Sequence, residues 1–494
     1  MRPSSAPQKP FDKLVLLFGA GLILLYAAIL TAKFALWREN VLMNDWAFYN
    51  NSFWYTNFRD HWLFSHDRYI QFGYPSYLNE HFAPLLLVLA ALYHVVPWPE
   101  AMLLVLHGAS PVLAAIGIYA TALHLTRSRD LSILIALSYA LNPGILWPTI
   151  SLVYGFQPDS LLPPLAALAG WALATNRVGW FFVALFLAFG IKENVPAYGV
   201  ILGACLCLFT ERRRQGLITI AVSLVVFYAG SKGVAMITGV ENRNVNVAWR
   251  FIDSLLRLRP TFDYTLIEIL VGLGYSIAFL PALAVLPFMA MIGPDLLLIG
   301  QVSYAKTVTW HVMLPVTVLA LGATFGTARI LAMKNWPATL DARIGRERLM
   351  RGYWSVVLAV SLIAGPLTIW LAYDRYVALR SPVDRAAIAE AIALVPPGVG
   401  VITTSDLEQY FVRFVVTSRL DVSTRAPGDF SYFVINRRSL TEGRRNGPLA
   451  QVTQQDECFI KAAEGVARDG GRILMDKNGI LVAQFVRMPP LGCR

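Results

Sequence analysis

Charged residues are scarce in this chain, because Asp, Glu, Lys and Arg together make up only 15% of its 494 residues. A soluble domain carries about 25%. Hydrophobic residues make up 56%, which is more apolar surface than one aqueous core can bury, so lipid is the natural solvent for the excess. The scarcity of charge therefore excludes a soluble protein and predicts an integral membrane protein.

Basic residues are the exception to this scarcity, since the formal net charge is +11. They lie in short clusters beside apolar runs, not on a polar module interleaved with base-stacking aromatics, so nucleic acid is not an expected partner. Lys and Arg are typical of the cytoplasmic loops of membrane proteins. The clusters that assign the cytoplasmic side are Arg127 with Arg129, Arg177, Arg212–Arg214, Arg329 with Lys334, and Arg343–Arg351.

Cysteine is also rare, with four in the chain. Cys205 and Cys207 lie in an apolar run, where we expect them to pack as small hydrophobes. Cys458 and Cys493 lie in the polar C-terminal region, and a disulfide between them is plausible if that region faces an oxidising compartment. No His or third Cys lies near either pair, which argues against a cysteine-based metal site.

Apolar runs of about 20 residues, long enough to cross a bilayer, recur along the first three quarters of the chain. The first, Leu14–Leu36, follows Lys9 and Lys13 and indicates a retained anchor with a cytoplasmic N-terminus. Residues 37–82 are rich in polar and aromatic side chains and are predicted to form an external loop with short interfacial helices. The other candidate spans are 100–125, 131–150, 159–176, 178–191, 195–209, 216–238, 266–282, 284–302, 308–328 and 354–373.

The apolar stretch Ala83–Val96 is shorter than a span and decides the topology. If it only dips into the membrane, every basic cluster named above falls on the cytoplasmic side, whereas a full crossing would invert them all. We therefore predict a polytopic α-helical protein of the bacterial inner membrane with about 11 transmembrane helices, within a range of roughly 11–13.

Residues 374–494 contain no span and are predicted to form an extracytoplasmic α/β domain beside a membrane domain of residues 1–373. Asp406, Glu408 and Asp421 of this region are interpreted as solvated surface residues. Helical patterns cover Asp384–Val395, Asp406–Arg419 and Gln454–Arg468. Strand-like runs cover Val399–Thr403, Tyr432–Asn436, Arg472–Met475 and Gly479–Val486.

Several polar residues fall at one depth on the external face in this topology, and ionisable groups near the hydrocarbon usually line a cavity or pathway. Each has an ordinary alternative: an Asp that starts a helix can be only a cap, and Lys192 can snorkel or pair with Glu193. Their joint occurrence favours a site. The set comprises Asp45, Glu80, His81, Gln157, Asp159, Lys192, Glu193 and His311, with Tyr49 as a supporting residue near Asp45.

Group transfer is the chemistry that such a set supports. A carboxylate can take the proton of an acceptor hydroxyl as it attacks. Asp45 and Asp159 are together a possible site for a divalent cation such as Mg, Mn or Zn, held through oxygen ligands. Lys192 and His311 could neutralise a phosphate leaving group as its charge develops.

The order of these motifs resembles a bacterial and archaeal family of membrane proteins of unknown function within the GT-C glycosyltransferase clan. In that family the corresponding stretches are roughly Phe-Asp, His-Phe-Ser-Pro, Phe-His-Pro-Glu, Lys-Glu-Asp and His-Tyr. The chain is also distantly similar to protein mannosyltransferases and to the lipid A aminoarabinose transferase. It departs from the family pattern at four positions: Asn44, Gln157, Asp159 and Asn194 replace Phe, His, Glu and Asp.

The resemblance implies a glycosyltransferase, inverting and dependent on a polyprenyl-phosphate sugar, that acts on an extracytoplasmic glycan, lipid or protein. It implies Asp45 as general base, Asp159 as a metal or acceptor-side carboxylate, and Lys192 and His311 beside the donor phosphate. We place Glu80 and His81 on the acceptor or metal side. The departures put metal dependence in question and leave the sugar unassigned.

Two other functions remain open at this stage. A transporter or lipid flippase would show inverted repeats and charges near mid-span, and the sequence shows no clear repeat. A non-catalytic assembly or sensing protein would use its external α/β domain and keep the polar set for structural reasons. Substitution of that set by alanine would then leave cellular glycans unchanged.

Overall fold

The structure is a computed structural model, and His311, Asp421 and Cys493 are among the residues named above that lie outside the ranges it describes. The described residues are 13–38, 44–66, 69, 73–150, 155–240, 274–285, 313–333, 345–377, 383–396, 398–411, 413–417, 430–440 and 450–486.

The N-terminal region is a bundle of apolar helices. Its helices are α1 (Lys13–Arg38), α2 (Asn44–Trp54), α3 (Leu85–Tyr93), α4 (Pro99–Thr126), α5 (Arg129–Ala140), α6 (Pro143–Ile150), α7 (Leu162–Ala174), α8 (Val178–Phe189), α9 (Val195–Phe209), α10 (Arg213–Thr238), α11 (Met313–Ala332) and α12 (Arg346–Val377). Short 3-10 segments cover Tyr77–Asn79 and Pro158–Leu161, and a longer one covers Gly274–Val285.

Five helices of the described part are long and apolar enough to cross a bilayer, namely α1, α4, α10, α11 and α12. Helices α5 and α6 meet at a bend of 45° and together count as a sixth candidate. Helices α8 and α9 are apolar but shorter, with 12 and 15 residues. The described residues therefore support a multi-pass helical protein, and the number of about 11 spans stays a prediction.

Helix α3 bears on the topology because it occupies the ambiguous stretch Ala83–Val96. It has nine residues, and at 1.5 Å per residue it extends roughly 14 Å. The hydrocarbon core is about 30 Å thick. A helix of this length cannot cross it, which agrees with the expected partial span.

Several predicted spans take a different form in the structure. The run 131–150 is broken between α5 and α6, because Asn142 and Pro143 interrupt the helix and the Asn142 side chain accepts a hydrogen bond from the Gly144 amide at 2.8 Å. The run 159–176 begins as the 3-10 segment Pro158–Leu161 and becomes α-helical only at Leu162. Where residues predicted as spans at 266–282 and 284–302 are described, over 274–285, they form a 3-10 helix.

Small residues and buried hydroxyls hold the bundle together. A Cβ atom on Gly117 of α4 would lie 2.8 Å from the Cβ atom of Ala167 of α7, so these helices approach closely, as small residues allow in membranes. The hydroxyls of Tyr139 and Thr317 lie 2.9 Å apart and link α5 to α11. Just before α7, the Ser110 hydroxyl of α4 donates to the Ser160 carbonyl.

The C-terminal region is an α/β unit with a five-stranded mixed sheet in the order β2-β1-β3-β5-β4. Strand β1 is parallel to β2 and β3, whereas β5 is antiparallel to β3 and β4. The elements are α13 (Arg385–Leu394), β1 (Gly400–Thr403), β2 (Val415–Thr417), β3 (Phe430–Asn436), α14 (Ala450–Gly465), β4 (Arg472–Lys477) and β5 (Ile480–Gln484).

Alternate residues of the central strands face opposite helices, as the two-residue period of a strand requires. Phe433 and Ile435 pack with Phe459 of α14. Val434 packs with Ile388 of α13 on the other face. The predicted helices at 384–395 and 454–468 and the four predicted strands are therefore confirmed, with small shifts at their ends.

The predicted helix Asp406–Arg419 is wrong. The structure has a 3-10 turn at Glu408–Tyr410 and strand β2 at Val415–Thr417, where β-branched residues favour a strand. The interpretation of Asp406 and Glu408 as solvated is also wrong, because they are only 1% and 6% exposed. The Asn436 side chain donates to an Asp406 carboxylate oxygen at 2.6 Å, and a buried carboxylate needs such partners.

The cysteines separate into two classes. Cys205 and Cys207 are free, as expected for residues in an apolar run. Cys458 is disulfide-bonded, and Cys493 lies outside the described residues.

The C-terminal unit contacts the membrane region through α2. The Asn51 amide donates to the Phe414 carbonyl at 3.2 Å, and the Tyr55 hydroxyl donates to the Arg413 carbonyl at 3.1 Å. The guanidinium of Arg413 lies 4.5 Å from the ring centroid of Trp54 and 3.1 Å from a carboxylate oxygen of Glu100. The helix that begins with Asn44 and Asp45 is thus held from outside the bundle.

Candidate active site

Helix α2 places Asp45 in its first turn. The partial positive charge at a helix N-terminus favours an ionised carboxylate. The Gln157 amide donates to Asp45 Oδ2 across a sequence separation of 112 residues. The loop before α7 is thereby joined to the start of α2, and two residues predicted to share a site contact each other.

Asp159 and Lys192 form a second link, between the start of α7 and the break between α8 and α9. The ammonium donates to both carboxylate oxygens of Asp159, at 3.1 and 3.2 Å. The side chains of Lys192 and Asp159 are only 12% and 10% exposed. Two charges so far removed from water carry a desolvation cost that their attraction offsets only when the geometry is good.

His81 and Glu193 form the third link. His81 Nδ1 lies 2.9 Å from one carboxylate oxygen of Glu193 and 3.2 Å from the other. The Phe82 amide donates to the same carboxylate at 3.1 Å. Burial alone would raise the pKa of Glu193, but the nearby His81 and Lys192 lower the pKa below its ordinary value. Glu193 is therefore ionised. Its contacts with His81 and the Phe82 amide join the segment before α3 to the break before α9.

Two tyrosines lie at the centre of these links. The hydroxyls of Tyr49 and Tyr77 are 2.9 Å apart. Burial raises the pKa of Tyr49 well above its ordinary value, and the negative charges of Asp45, Asp159 and Glu80 raise it further. The pKa of Tyr77 is raised by burial and by the negative charges around it, which include Glu80 and Glu193. Both phenols keep their protons, and the charges of four carboxylates act on this pair of hydroxyls: Asp45, Asp159, Glu80 and Glu193.

The structure thus brings together every described member of the predicted set. Asp45 meets Gln157, Asp159 meets Lys192, and His81 meets Glu193, while Glu80 acts on both tyrosines. The sequence did not single out Tyr77. Its signal was its place in Tyr-Leu-Asn-Glu-His, three residues before Glu80.

A divalent cation at Asp45 and Asp159 finds little support in this geometry. Lys192 donates to both oxygens of Asp159, and Gln157 donates to Asp45. A hard cation needs those oxygen lone pairs for itself. Within the described ranges, no three His, Cys, Asp or Glu residues are grouped so that they could hold a metal ion. The residues present do not fit the cation, and the mechanism below uses none.

A second polar cluster, which the sequence did not predict, lies inside the bundle. Lys33 of α1 and His107 of α4 are 2% and 1% exposed. Lys33 donates to the Thr149 carbonyl at 3.0 Å, and His107 Nε2 lies 3.1 Å from the Pro148 carbonyl. These carbonyls belong to the last turn of α6, where helix geometry leaves carbonyl groups without partners. The cluster therefore anchors the end of α6, ahead of the loop that carries Gln157 and Asp159.

The sequence did contain a signal for this cluster. Lys33 interrupts the first apolar run and His107 interrupts the span after Pro99, and ionisable residues within spans are rare without a role. Their partners are backbone carbonyls that lie 116 and 41 positions away. No sequence pattern indicates such partners.

Comparison with known proteins assigns the chain to a family. A family model described as "Predicted membrane protein (DUF2079)" matches residues 47–463. The chain belongs to this family. The match covers α2 from residue 47 onward, all the described site residues except Asp45, and most of the C-terminal unit.

The fold has a counterpart among solved structures. The chain is similar to the crystal structure of ArnT from Cupriavidus metallidurans bound to undecaprenyl phosphate, with a TM-score of 0.52 and 14% sequence identity over 94% of this chain and 98% of that one. ArnT has the GT-C glycosyltransferase fold, so the DUF2079 chain shares that fold. No curated protein matches the sequence.

Proposed function

We propose that this protein is a membrane glycosyltransferase of the GT-C type that transfers a sugar from a polyprenyl-phosphate donor to an extracytoplasmic acceptor. The observation that carries the proposal is the convergence of Asp45, Asp159 and Lys192 around the Tyr49–Tyr77 pair. Transfer of a sugar from a phosphate leaving group requires a base, a cation and hydrogen-bond donors close together. This partly buried place supplies all three.

The proposed reaction is an inverting displacement in which Asp45 acts as general base. The acceptor hydroxyl attacks the anomeric carbon and gives its proton to the Asp45 carboxylate. The bond between the anomeric carbon and the phosphate oxygen breaks, and its electron pair stays on that oxygen. The products are the glycosylated acceptor and polyprenyl phosphate. Gln157 orients Asp45 through its amide.

Lys192 neutralises the phosphate in this scheme. Its ammonium is held by Asp159 at the break between α8 and α9. An ammonium presents three N–H donors, so it can contact a phosphate oxygen while it keeps Asp159. His311 is proposed as a second neighbour of the phosphate. Preorganised charge of this kind acts most strongly where water is excluded.

Glu80, His81 and Glu193 are proposed to shape the acceptor side. The His81–Glu193 contact and the Phe82 amide fix the entrance to α3 beside the break. A glycan, lipid or protein hydroxyl would approach Asp45 from this side. In this proposal the three residues shape the approach to Asp45 and take no part in bond making.

Three observations support an extracytoplasmic site with a lipid donor. The basic clusters Arg127 with Arg129 and Arg212–Arg214 lie at the opposite ends of α4 and α9 from the site, as cytoplasmic residues would. Cys458 is disulfide-bonded, which is typical of an oxidising compartment such as the periplasm. The structurally similar ArnT was crystallised with undecaprenyl phosphate.

Reconstituted protein tests the proposal. Proteoliposomes are given polyprenyl-phosphate monosaccharides that carry a labelled sugar, together with a cell-envelope extract as acceptor. We expect label to pass from lipid to acceptor while polyprenyl phosphate accumulates. Movement of intact donor between leaflets without loss of its sugar would instead indicate a flippase. No change in any donor across the common envelope sugars would contradict both.

A further inference from the structure

A long apolar cavity runs beside α9, from Leu162 and Val195, close in sequence to Asp159 and Lys192, to the far end of the helix. Its volume is about 290 Å³, close to the roughly 300 Å³ at which small-molecule pockets begin. It follows α9 from Val195 to Thr210 and Arg212, which is roughly 22 Å at 1.5 Å per residue. The walls are formed by α7, α8, α9 and α11 and are almost entirely aliphatic, with Leu173, Leu202 and Leu206 among them. Such a shape suits a hydrocarbon chain.

The end of the cavity farthest from Lys192 carries a fixed cation. The Thr210 hydroxyl donates to the Leu206 carbonyl at 2.6 Å and accepts from the Arg212 amide at 3.1 Å. These two bonds lock the turn between α9 and α10. Arg212 and Thr210 both line the cavity, so the guanidinium stands where the apolar channel ends.

Two donors at this end lack acceptors. Arg212 Nη1 and Gln215 Nε2 are buried, and neither has a hydrogen-bond partner among the described residues. Leaving a buried donor unsatisfied costs about 1–3 kcal/mol, and more for a charged group. Both groups donate and neither can accept at these atoms, so the missing partner is an acceptor. Beside a guanidinium, the acceptor of choice is an anionic oxygen such as a phosphate.

We propose that this cavity binds a membrane phospholipid with an anionic headgroup. Its phosphate contacts Arg212 and Gln215, and one acyl chain lies along α9. The site is separate from the donor site, because Lys192 and Arg212 stand at opposite ends of α9 and one phosphate cannot reach both. The proposal concerns this end of the bundle and does not depend on sugar transfer.

Spin-label spectroscopy tests the proposal on the full chain in phosphatidylcholine vesicles. Phosphatidylglycerol with a chain-bound spin label is the probe, and spin-labelled phosphatidylcholine is the reference. We expect a motionally restricted fraction for phosphatidylglycerol that exceeds that for phosphatidylcholine. Arg212→Ala should weaken the binding of phosphatidylglycerol about tenfold, the loss of one charge-assisted contact. Arg213→Ala removes the same charge from an exposed position and should leave it nearly unchanged.

A second variant tests the chain-binding part without touching the cation. Leu173 lines the lower part of the cavity, so Leu173→Trp should fill it and abolish the restricted fraction while Arg212 is retained. The proposal is overturned if Arg212→Ala and Arg213→Ala behave alike, or if phosphatidylcholine is restricted as strongly as phosphatidylglycerol. Displacement of the label by an equal amount of polyprenyl phosphate would also overturn it, because the cavity would then belong to the sugar donor.

Discussion

Two ion pairs of the same chemistry lie in very different surroundings in this molecule. Lys192 and Asp159 of the membrane region are 12% and 10% exposed. Lys477 and Glu390 of the C-terminal unit approach to 2.6 Å but are 52% and 48% exposed. Exposed pairs contribute about 0–1 kcal/mol to the stability of the folded protein. Burial of a pair carries a desolvation cost, and removal of one partner then strongly destabilises the protein because the other charge stays buried. Close approach alone therefore says little about the role of a pair.

The difference extends to what surrounds each pair. The Lys477–Glu390 contact bridges β4 and α13 at the surface. The Lys192–Asp159 contact lies among the further carboxylates Asp45, Glu80 and Glu193, which act on the same two tyrosines. Several charges are retained in a partly buried place where apolar residues would pack more stably. Such an arrangement is typical of a functional site.

Asp45→Asn should produce the largest effect. Removal of a general base lowers the rate of transfer about 10²- to 10⁴-fold, while the Asn side chain keeps the size of the Asp and can still contact Gln157. The measurement is transfer of labelled sugar in proteoliposomes. The control is Asp60→Asn, an exposed carboxylate of the segment between α2 and α3. Full activity of Asp45→Asn would remove Asp45 from the mechanism.

Lys192→Met should come next, because it removes the cation that faces Asp159 while it keeps the length of the side chain. We expect transfer to fall about 10²- to 10³-fold, as for loss of one electrostatic donor. The free energy of unfolding should drop by about 3–5 kcal/mol, as for a broken buried pair. Transfer rate and thermal unfolding in detergent measure the two effects. Wild-type behaviour in both would show that the pair is no more than a surface contact.

Glu193→Gln should have a smaller, pH-dependent effect. It weakens the contacts to His81 and to the Phe82 amide, which should cost about 1–3 kcal/mol at neutral pH. The folded-state pKa of Glu193 lies below its ordinary value of 4.5. Its contribution is therefore fully present above about pH 4.5 and is lost as the pH falls through the lowered pKa. The gap in unfolding temperature between wild type and Glu193→Gln should close on acidification, and a gap that widens would contradict the assignment.

Lys477→Met should have the smallest effect and completes the comparison with Lys192→Met. The exposed pair is expected to contribute less than about 1 kcal/mol, and salt should reduce it further. Transfer should stay at the wild-type rate. A destabilisation as large as that of Lys192→Met would show that exposure does not separate the two pairs.

The sequence predicted which polar residues lie together better than it predicted the helices that carry them. One topological choice, the partial span at Ala83–Val96, was sufficient to place Asp45, Asp159 and Lys192 on one face. Helix ends were harder to predict from the sequence. Asn142 and Pro143 divide one predicted span into two helices, and another begins as a 3-10 segment at Pro158. Hydropathy averages over such breaks.

Other features depend on contacts between distant parts of the chain. Lys33 and His107 bind carbonyls of α6, and Asp406 is buried against Asn436, 30 positions away. Charge and local pattern assign such residues to a membrane edge or a solvated surface. Only the fold supplies their partners.

A structure of the protein with bound polyprenyl phosphate tests the central claim most directly. The account predicts the phosphate within hydrogen-bond distance of Lys192 Nζ, on the side of this residue that faces Asp45, with His311 as its other neighbour. A phosphate held elsewhere, with the Lys192–Asp159 contact remote from it, would contradict the account and leave the buried pair a structural element.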